Sequence, residues 1–297
     1  PMTPSRPSSS RATRPTSTTP RGAGEAIERR KNEHIDLALG QAAPPDAASD
    51  FDAVRFEHCA APEIDFDAID LSTRFLGRRL PLPFLISSMT GGPQRGAAIN
   101  AHLAEAAEHF GIPFAVGSQR IALESAATAG IDASLRKRAP SAPVWANLGA
   151  SQLVQGYGLA EVRRIMDMVE ADALIIHLNP MQEAIQPGGD RCWTGVLSAI
   201  GRLAGQLDQP VIVKEVGFGL SGAVARRLAE AGVAALDVAG RGGTSWAAIE
   251  TLRCESEADR QAGAPFADWG ISTPASIRLA RKACPDIPLI GSGGVRH

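Results

Sequence analysis

The chain has 297 residues, 44% of them hydrophobic, a formal net charge of −2 and only 5% aromatic residues. That is enough apolar material for one large core. The balanced charge and sparse aromatics exclude a basic face or a base-stacking platform for nucleic acid, and no apolar run reaches the ~18 residues a membrane span needs. The four cysteines (Cys59, Cys192, Cys254, Cys284) form no CxxC pair, so they read as reduced thiols of a cytoplasmic protein rather than as a disulfide framework or zinc site.

Residues 1–24 are Ser, Thr, Pro, Arg and Gly with almost nothing to bury. Such a stretch is expected to be disordered. Its arginines and lack of acidic residues raise an organelle transit peptide, but it carries no amphipathic apolar face. From residue 25, "EAIERRKNEHIDLAL" is charged and helix-prone, with Ile27, Ile35 and Leu39 on one face. Residues 41–80 read as a loop followed by irregular strands, "FEHCA" and "STRFLG".

A rhythm begins at residue 82. "LPFLISS" predicts a buried strand, "AAINAHLAEAAEHFG" a helix closed by Gly111, "IPFAVGS" a strand and "DASLRKRA" a helix. Next come strand "VWANLG", helix "LAEVRRIMDMVEA", strand "ALIIHL" and helix "TGVLSAIGRLAGQL". Strand "VIVKEVG", helix "SGAVARRLAEAG", strand "ALDVAG" and an excursion over 241–271 follow, then helix "TPASIRLARKAC" and strand "PLIGSGG". Short continuous Val/Ile/Leu/Ala strands are those of a parallel sheet covered on both faces, and the alternation is that of βαβ units. The expected fold is α/β, a (β/α)8 TIM barrel over residues 25–297. A doubly wound sheet is the alternative, but the phosphate loop that usually follows its first strand is missing. Because the sequence stops after the seventh strand, the eighth β/α unit is expected to be lacking and the barrel to be C-terminally incomplete.

Polar and glycine-rich strings fall at the C-terminal ends of the strands: "SSMTGG", "GSQR", "ANLGAS", "HLNPMQEAIQPGGDR", "KEVG", "GRGGTS" and "GSGGVR". In a (β/α)8 barrel that face assembles the active site from several strands at once. "GSGGV" could be only a tight turn, yet after the seventh strand it stands where barrels bind phosphate. Lys214 inside an apolar strand is rare unless paired or functional. Glu183 with Gln182, His177 and Asn179 offers the carboxylate and amide oxygens that a hard cation prefers. Taken alone, Lys31 and His34 are ordinary surface residues, and His58, His102 and His109 are structural.

Together these strings resemble the type 2 isopentenyl diphosphate isomerases, the flavin-dependent class within the FMN-binding (β/α)8 barrels. The matching segments are "RRKNEHI" (29–35), "FLISSMTGG" (84–92), "AVGSQR" (115–120), "ANLGA" (146–150), "HLNPMQEAIQPGGDR" (177–191), "VIVKEVGFGLS" (211–221), "DVAGRGGTSWAAIE" (237–250) and "IGSGGVR" (290–296). Each alone is unspecific; all eight in order are specific. The resemblance implies interconversion of isopentenyl and dimethylallyl diphosphate by reduced FMN acting as acid and base, with Mg²⁺, and with NADPH as reductant. It implies that Ser88, Met89, Thr90, Ser118, Asn147 and Lys214 meet the flavin, and that Thr244, Ser292, Gly293 and Gly294 hold its phosphate. Arg30, Lys31, Gln119 and Arg120 would take the substrate diphosphate and Glu183 the Mg²⁺. Gln182 would lie beside the alkene, Asn179 and His177 would orient that wall, and His34 would stand near the substrate. The turn Pro187-Gly188-Gly189 would fold the backbone over the ligand. A homotetramer or larger homo-oligomer is implied. The competing readings are a 2-hydroxy acid oxidase, which needs a His–Arg pair near the sixth and seventh strands, and an inactive truncated barrel.

Overall fold

The computed structural model describes residues 21–40, 50–88, 94–124 and 130–295. Helix α1 spans Arg21–Gly40, so residues 21–24, expected to be disordered, are helical. Once a helix is nucleated, each further residue gains a backbone bond at small cost. Residues 1–20 lie outside the described residues. Strands β1 (Thr73–Phe75) and β2 (Arg78–Leu80) form an antiparallel hairpin. Its turn places Leu76 at φ 48° and Gly77 at φ 78°, the left-handed pair that matches strand twist. "FEHCA" forms no strand.

The repeating part runs α2 (Gln94–Phe110), β3 (Phe114–Ala115), α3 (Arg120–Glu124), α4 (Ala133–Arg138), β4 (Val144–Gly149), α5 (Ala150–Val154), α6 (Leu159–Val169), β5 (Ala173–Leu178), α7 (Pro180–Ile185), α8 (Val196–Ala204) and β6 (Val211–Glu215). It continues with α9 (Gly222–Glu230), β7 (Ala235–Asp237), α10 (Trp246–Arg253), α11 (Glu257–Gly263), α12 (Thr273–Ala283) and β8 (Leu289–Ile290). β3 to β8 form a parallel six-stranded sheet in chain order. "LPFLISS" contributes only the parallel bridge Ile86↔Phe114, which still places it at the head of the sheet. Chain-order parallel pairing with intervening helices makes this a partial (β/α)8 barrel.

Alternation along each strand sorts the core. Leu174 and Ile176 of β5 pack outward with the helices, beside Leu148, Val213, Leu228 and Leu236. Ala173 and Ile175 face inward, with Ala115, Trp145, Ile212, Ala235 and Ile290. Phe75 and Leu76 of the hairpin pack on this inner cluster, Phe75 lying 5.8 Å from the Trp145 ring. The hairpin thus covers the N-terminal end of the strands and leaves the C-terminal end for chemistry. No helix among the described residues is long and apolar enough to cross a membrane.

Candidate active site

Across the C-terminal strand ends lies a cavity of about 390 Å³. Its floor is a chain of hydrogen bonds running from strand to strand. Asn147 Nδ2 donates to Ser88 Oγ at 2.9 Å, which leaves Asn147 Oδ1 as the acceptor facing His177 Nδ1 at 2.8 Å. The proton of His177 therefore resides on Nδ1. Burial, then the charges of Lys214 and Lys31, push this imidazole down to about 4, so it is neutral at physiological pH. His177 stands in register with Lys214 on the neighbouring strand. The Lys214 ammonium donates to the Glu215 carbonyl at 2.8 Å and lies 3.8 Å from Asp237 Oδ2.

The roof comes from α1, whose Arg30, Lys31 and His34 line the cavity. Lys31 Nζ donates to the Ser118 carbonyl at 3.2 Å. Burial, with Arg30 adding in the same direction, pushes the Lys31 amine down to about 7. Arg120 enters from α3, its Nε donating to Glu124 at 2.7 Å and its NH1 to Asp190 at 3.1 Å.

The segment after β5 builds the remaining wall. Pro180 occupies the first turn of α7 after the N-cap Asn179, where its missing N–H costs nothing. Glu183 faces the cavity and accepts from Asn179 Nδ2 at 2.9 Å and from the Asp190 N–H at 2.7 Å. Burial raises its carboxyl above the ordinary value against the pull of those bonds. Asn179 Oδ1 is buried with no hydrogen-bond partner.

Glu250 of α10, fully buried, organises this wall. Its Oε1 accepts from His34 Nε2 at 2.8 Å and Gln182 Nε2 at 3.1 Å, and its Oε2 from Arg253 at 2.5 Å. The Gln186 amide orientation that satisfies both of its ends adds a donor to Glu250 Oε1 at 3.1 Å and lets its oxygen accept from Arg30 at 2.8 Å. Burial opposes charge on Glu250, but the bonds from His34 and Gln182 and the charge of Arg253 hold its carboxyl below the ordinary value.

Of the residues expected from sequence, Arg30, Lys31, His34, Ser88, Ser118, Arg120, Asn147, His177, Asn179, Gln182, Glu183 and Lys214 all line this one cavity. Met89 and Thr90 lie outside the described residues. Gln119, expected at the diphosphate, is fully buried. Its amide donates to the Ile165 carbonyl at 2.8 Å and accepts from the Asn147 N–H at 3.0 Å. Both ends are committed to backbone, so it braces β4 and α6 instead. Thr244, Ser292, Gly293 and Gly294 are not among the cavity-lining residues. They sit where the loops after β7 and β8 interlock: a Cβ on Gly243 would stand 2.9 Å from the Gly294 nitrogen. Ser292 Oγ donates to Asp237 at 2.6 Å. The turn at 187–189 folds back on α7 rather than over the cavity, for a Cβ on Gly189 would stand 2.1 Å from the Glu183 carbonyl.

Sequence reasoning missed Glu250, Trp246, Gln152, Gln186 and Asp190. Glu250 had a signal, a carboxylate at the apolar end of "WAAIE"; the others look like ordinary loop or helix polarity until folded.

Residues 25–155 match the FMN-dependent dehydrogenase family. The chain is 60% identical over 270 residues to the isopentenyl-diphosphate delta-isomerase of Xanthobacter autotrophicus, covering 91% of this chain and 78% of that protein. It is 56% identical over 273 residues to the isopentenyl-diphosphate delta-isomerase of Stutzerimonas stutzeri, covering 92% and 79%. For that of Cronobacter sakazakii the identity is 55% over 271 residues, covering 91% and 78%. An identity of 60% over 270 residues, covering 91% of this chain and 78% of that relative, settles kinship: the chain belongs to the isopentenyl-diphosphate delta-isomerase family.

Proposed function

We propose that the chain interconverts isopentenyl diphosphate and dimethylallyl diphosphate, with reduced FMN and Mg²⁺ as cofactors and NADPH as the reductant. The observation that carries the reading is one cavity that brings three kinds of lining together. Arg30, Lys31 and Arg120 gather cations, and Ser88, Ser118, Asn147 and Lys214 form a row of donors that Lys31 meets at the Ser118 carbonyl. Ile35, Ile99, Ile121, Val216 and Trp246 supply apolar wall, which suits a C5 hydrocarbon tail.

The donor row fits the flavin, whose ring edge offers carbonyl and nitrogen acceptors, and Met89 and Thr90 would join it. Lys214 would place its ammonium at the edge where negative charge collects. Thr244 and the backbone of Ser292, Gly293 and Gly294 would hold the phosphate of FMN. When bound and reduced, FMN supplies the acid–base chemistry that moves a proton onto one end of the allylic unit and off the other. Glu183 and the unpartnered Asn179 Oδ1 fit a hard cation that draws its remaining ligands from water and diphosphate oxygens. No group of three or more His, Cys, Asp or Glu with metal-site geometry occurs among the described residues, so Mg²⁺ would arrive with the substrate rather than in an all-protein cage.

The chain's own groups then divide the work. Arg30, Lys31 and Arg120 bind the diphosphate. Gln182, tied to Glu250, presents its amide to the alkene. His34 braces Glu250 from the roof, its ring 5.1 Å from Trp246. Neutral His177 fixes Asn147 and so the donor row. A 2-hydroxy acid oxidase needs a His–Arg pair near the sixth and seventh strands; Arg241 stands there in the sequence without a His beside it, and it donates to Asp268 at 2.7 Å and Asp50 at 3.5 Å. We also read the chain as a subunit of a cytoplasmic homo-oligomer, a tetramer or larger. The free thiols of Cys59, Cys192, Cys254 and Cys284 support a reducing compartment. Phe56 and Phe66, 96% and 85% exposed, support a further subunit over that segment.

An anaerobic assay with FMN, Mg²⁺, NADPH and isopentenyl diphosphate tests the reading. Dimethylallyl diphosphate should appear only when the flavin is reduced; a flavin-loaded protein that makes none would overturn it. The Lys31 amine gives a second check. Below pH 7 it carries its charge in the free site; above pH 7 binding of the anion must import a proton. Affinity for pyrophosphate should therefore fall as pH rises from 7 to 8.5, by up to about tenfold per unit beyond what Lys31→Met shows. Calorimetry across that range on both proteins measures the difference.

A further inference from the structure

Asp190 joins two parts of the cavity that the sequence keeps far apart. Its Oδ2 accepts from Arg120 NH1 at 3.1 Å, Gln152 Nε2 at 3.0 Å and Ser151 Oγ at 3.3 Å. Its backbone N–H donates to Glu183 Oε2 at 2.7 Å, and its carbonyl is fixed by Trp193 Nε1 at 2.9 Å. The bridge depends on Gly189: only a residue without Cβ lets the chain pass the Glu183 carbonyl closely enough for the next N–H to reach that carboxylate. One residue therefore grips Arg120 with its side chain and the Glu183 carboxylate with its backbone.

We infer that Asp190 is a positioning residue that sets the spacing between Arg120 and Glu183, so that a diphosphate and its divalent cation are recognised as one unit. This rests on the reading of Arg120 and Glu183 as diphosphate and Mg²⁺ residues. Asp190 is not among the residues that line the cavity. Glu124, the other carboxylate on Arg120, bonds to that arginine and to Tyr157 at 2.8 Å, but the bonds described for it do not reach Glu183. Glu124 therefore serves as the control.

The test is titration calorimetry of FMN-loaded protein with inorganic pyrophosphate, with and without Mg²⁺, reading the gain in affinity that Mg²⁺ confers. In Asp190→Asn that gain should fall about tenfold or more, as for other groups that orient a metal ligand. Gly189→Ala, which breaks the opposite end of the bridge and leaves the carboxylate in place, should lose the same gain. Glu124→Gln should weaken pyrophosphate but keep the gain. A general loosening of the fold would lower all affinities, FMN included, without singling out the Mg²⁺ gain. An unchanged gain in both bridge variants overturns the proposal, as does tighter Mg²⁺-free binding in Asp190→Asn, which would make the carboxylate merely a repelling charge. If the wild type isomerises substrate but shows no Mg²⁺ gain, the coupling fails and the isomerase stands. If the gain is present and lost in both variants while no isomerisation occurs, the coupling stands and the isomerase reading fails.

Discussion

Glu250→Leu should both destabilise the protein and all but silence it. The fully buried carboxylate is the common acceptor of His34, Gln182 and Arg253, so an apolar replacement strands several donors at once. Removing one partner of a buried ion pair costs about 3–5 kcal/mol, which thermal or urea unfolding would read. Arg253 retains Glu33 at 2.9 Å, which should keep the cost toward the lower end. Turnover should fall by about 10²-fold even in the folded fraction, because Gln182 loses the bond that aims its amide. Since the bonds hold the Glu250 carboxyl below its ordinary value of 4.5, its contribution is complete above that value and is lost as pH falls through the lower folded-state one. The stability gap between wild type and variant should therefore close in acid. An unfolding curve unchanged at pH 7 would mean that the network contributes nothing.

Glu250 also marks the limit of what the sequence discloses. Strand positions were legible because each strand is a short continuous apolar run ended by glycine or a polar cluster. "VWANLG" and "ALIIHL" match β4 and β5 residue for residue. The site at the C-terminal strand ends followed from topology, since parallel strands joined by helices must all end on one side. The short helices that follow the strands were not legible. α3, α5 and α7 are five or six residues long, too short to show helical periodicity, and tertiary contacts hold them. The placement of Gln119 was hidden for the same reason. Being next to Arg120 says where the backbone goes, but not that the amide closes on the Ile165 carbonyl and the Asn147 N–H, partners far away in sequence. Partnerships such as His34 with Glu250 cross more than two hundred residues, a distance over which sequence spacing carries no geometric information.

Lys214 permits the sharpest separation of structure from chemistry. Lys214→Met should cut turnover by about 10²–10³-fold, the loss expected when a buried donor aimed at developing negative charge is removed. It should also lower stability, because Asp237 is 1% exposed and loses the cation 3.8 Å away. Asp237 keeps its bonds from Ser292 Oγ at 2.6 Å and the Ala239 N–H at 3.2 Å, which should hold that cost below the full ~3–5 kcal/mol of a severed buried pair. The double variant Lys214→Met/Asp237→Asn removes both charges and should regain most of the stability without regaining turnover. Unfolding and isomerase assays on the four proteins form a double-mutant cycle, in which the pair interacts strongly in stability and hardly at all in turnover. A double variant that recovers turnover along with stability would make Lys214 a counter-ion for Asp237 and remove it from the chemistry. Arginine is no substitute in this test, since its planar fork needs more room and more acceptors than the ammonium occupies between two strands.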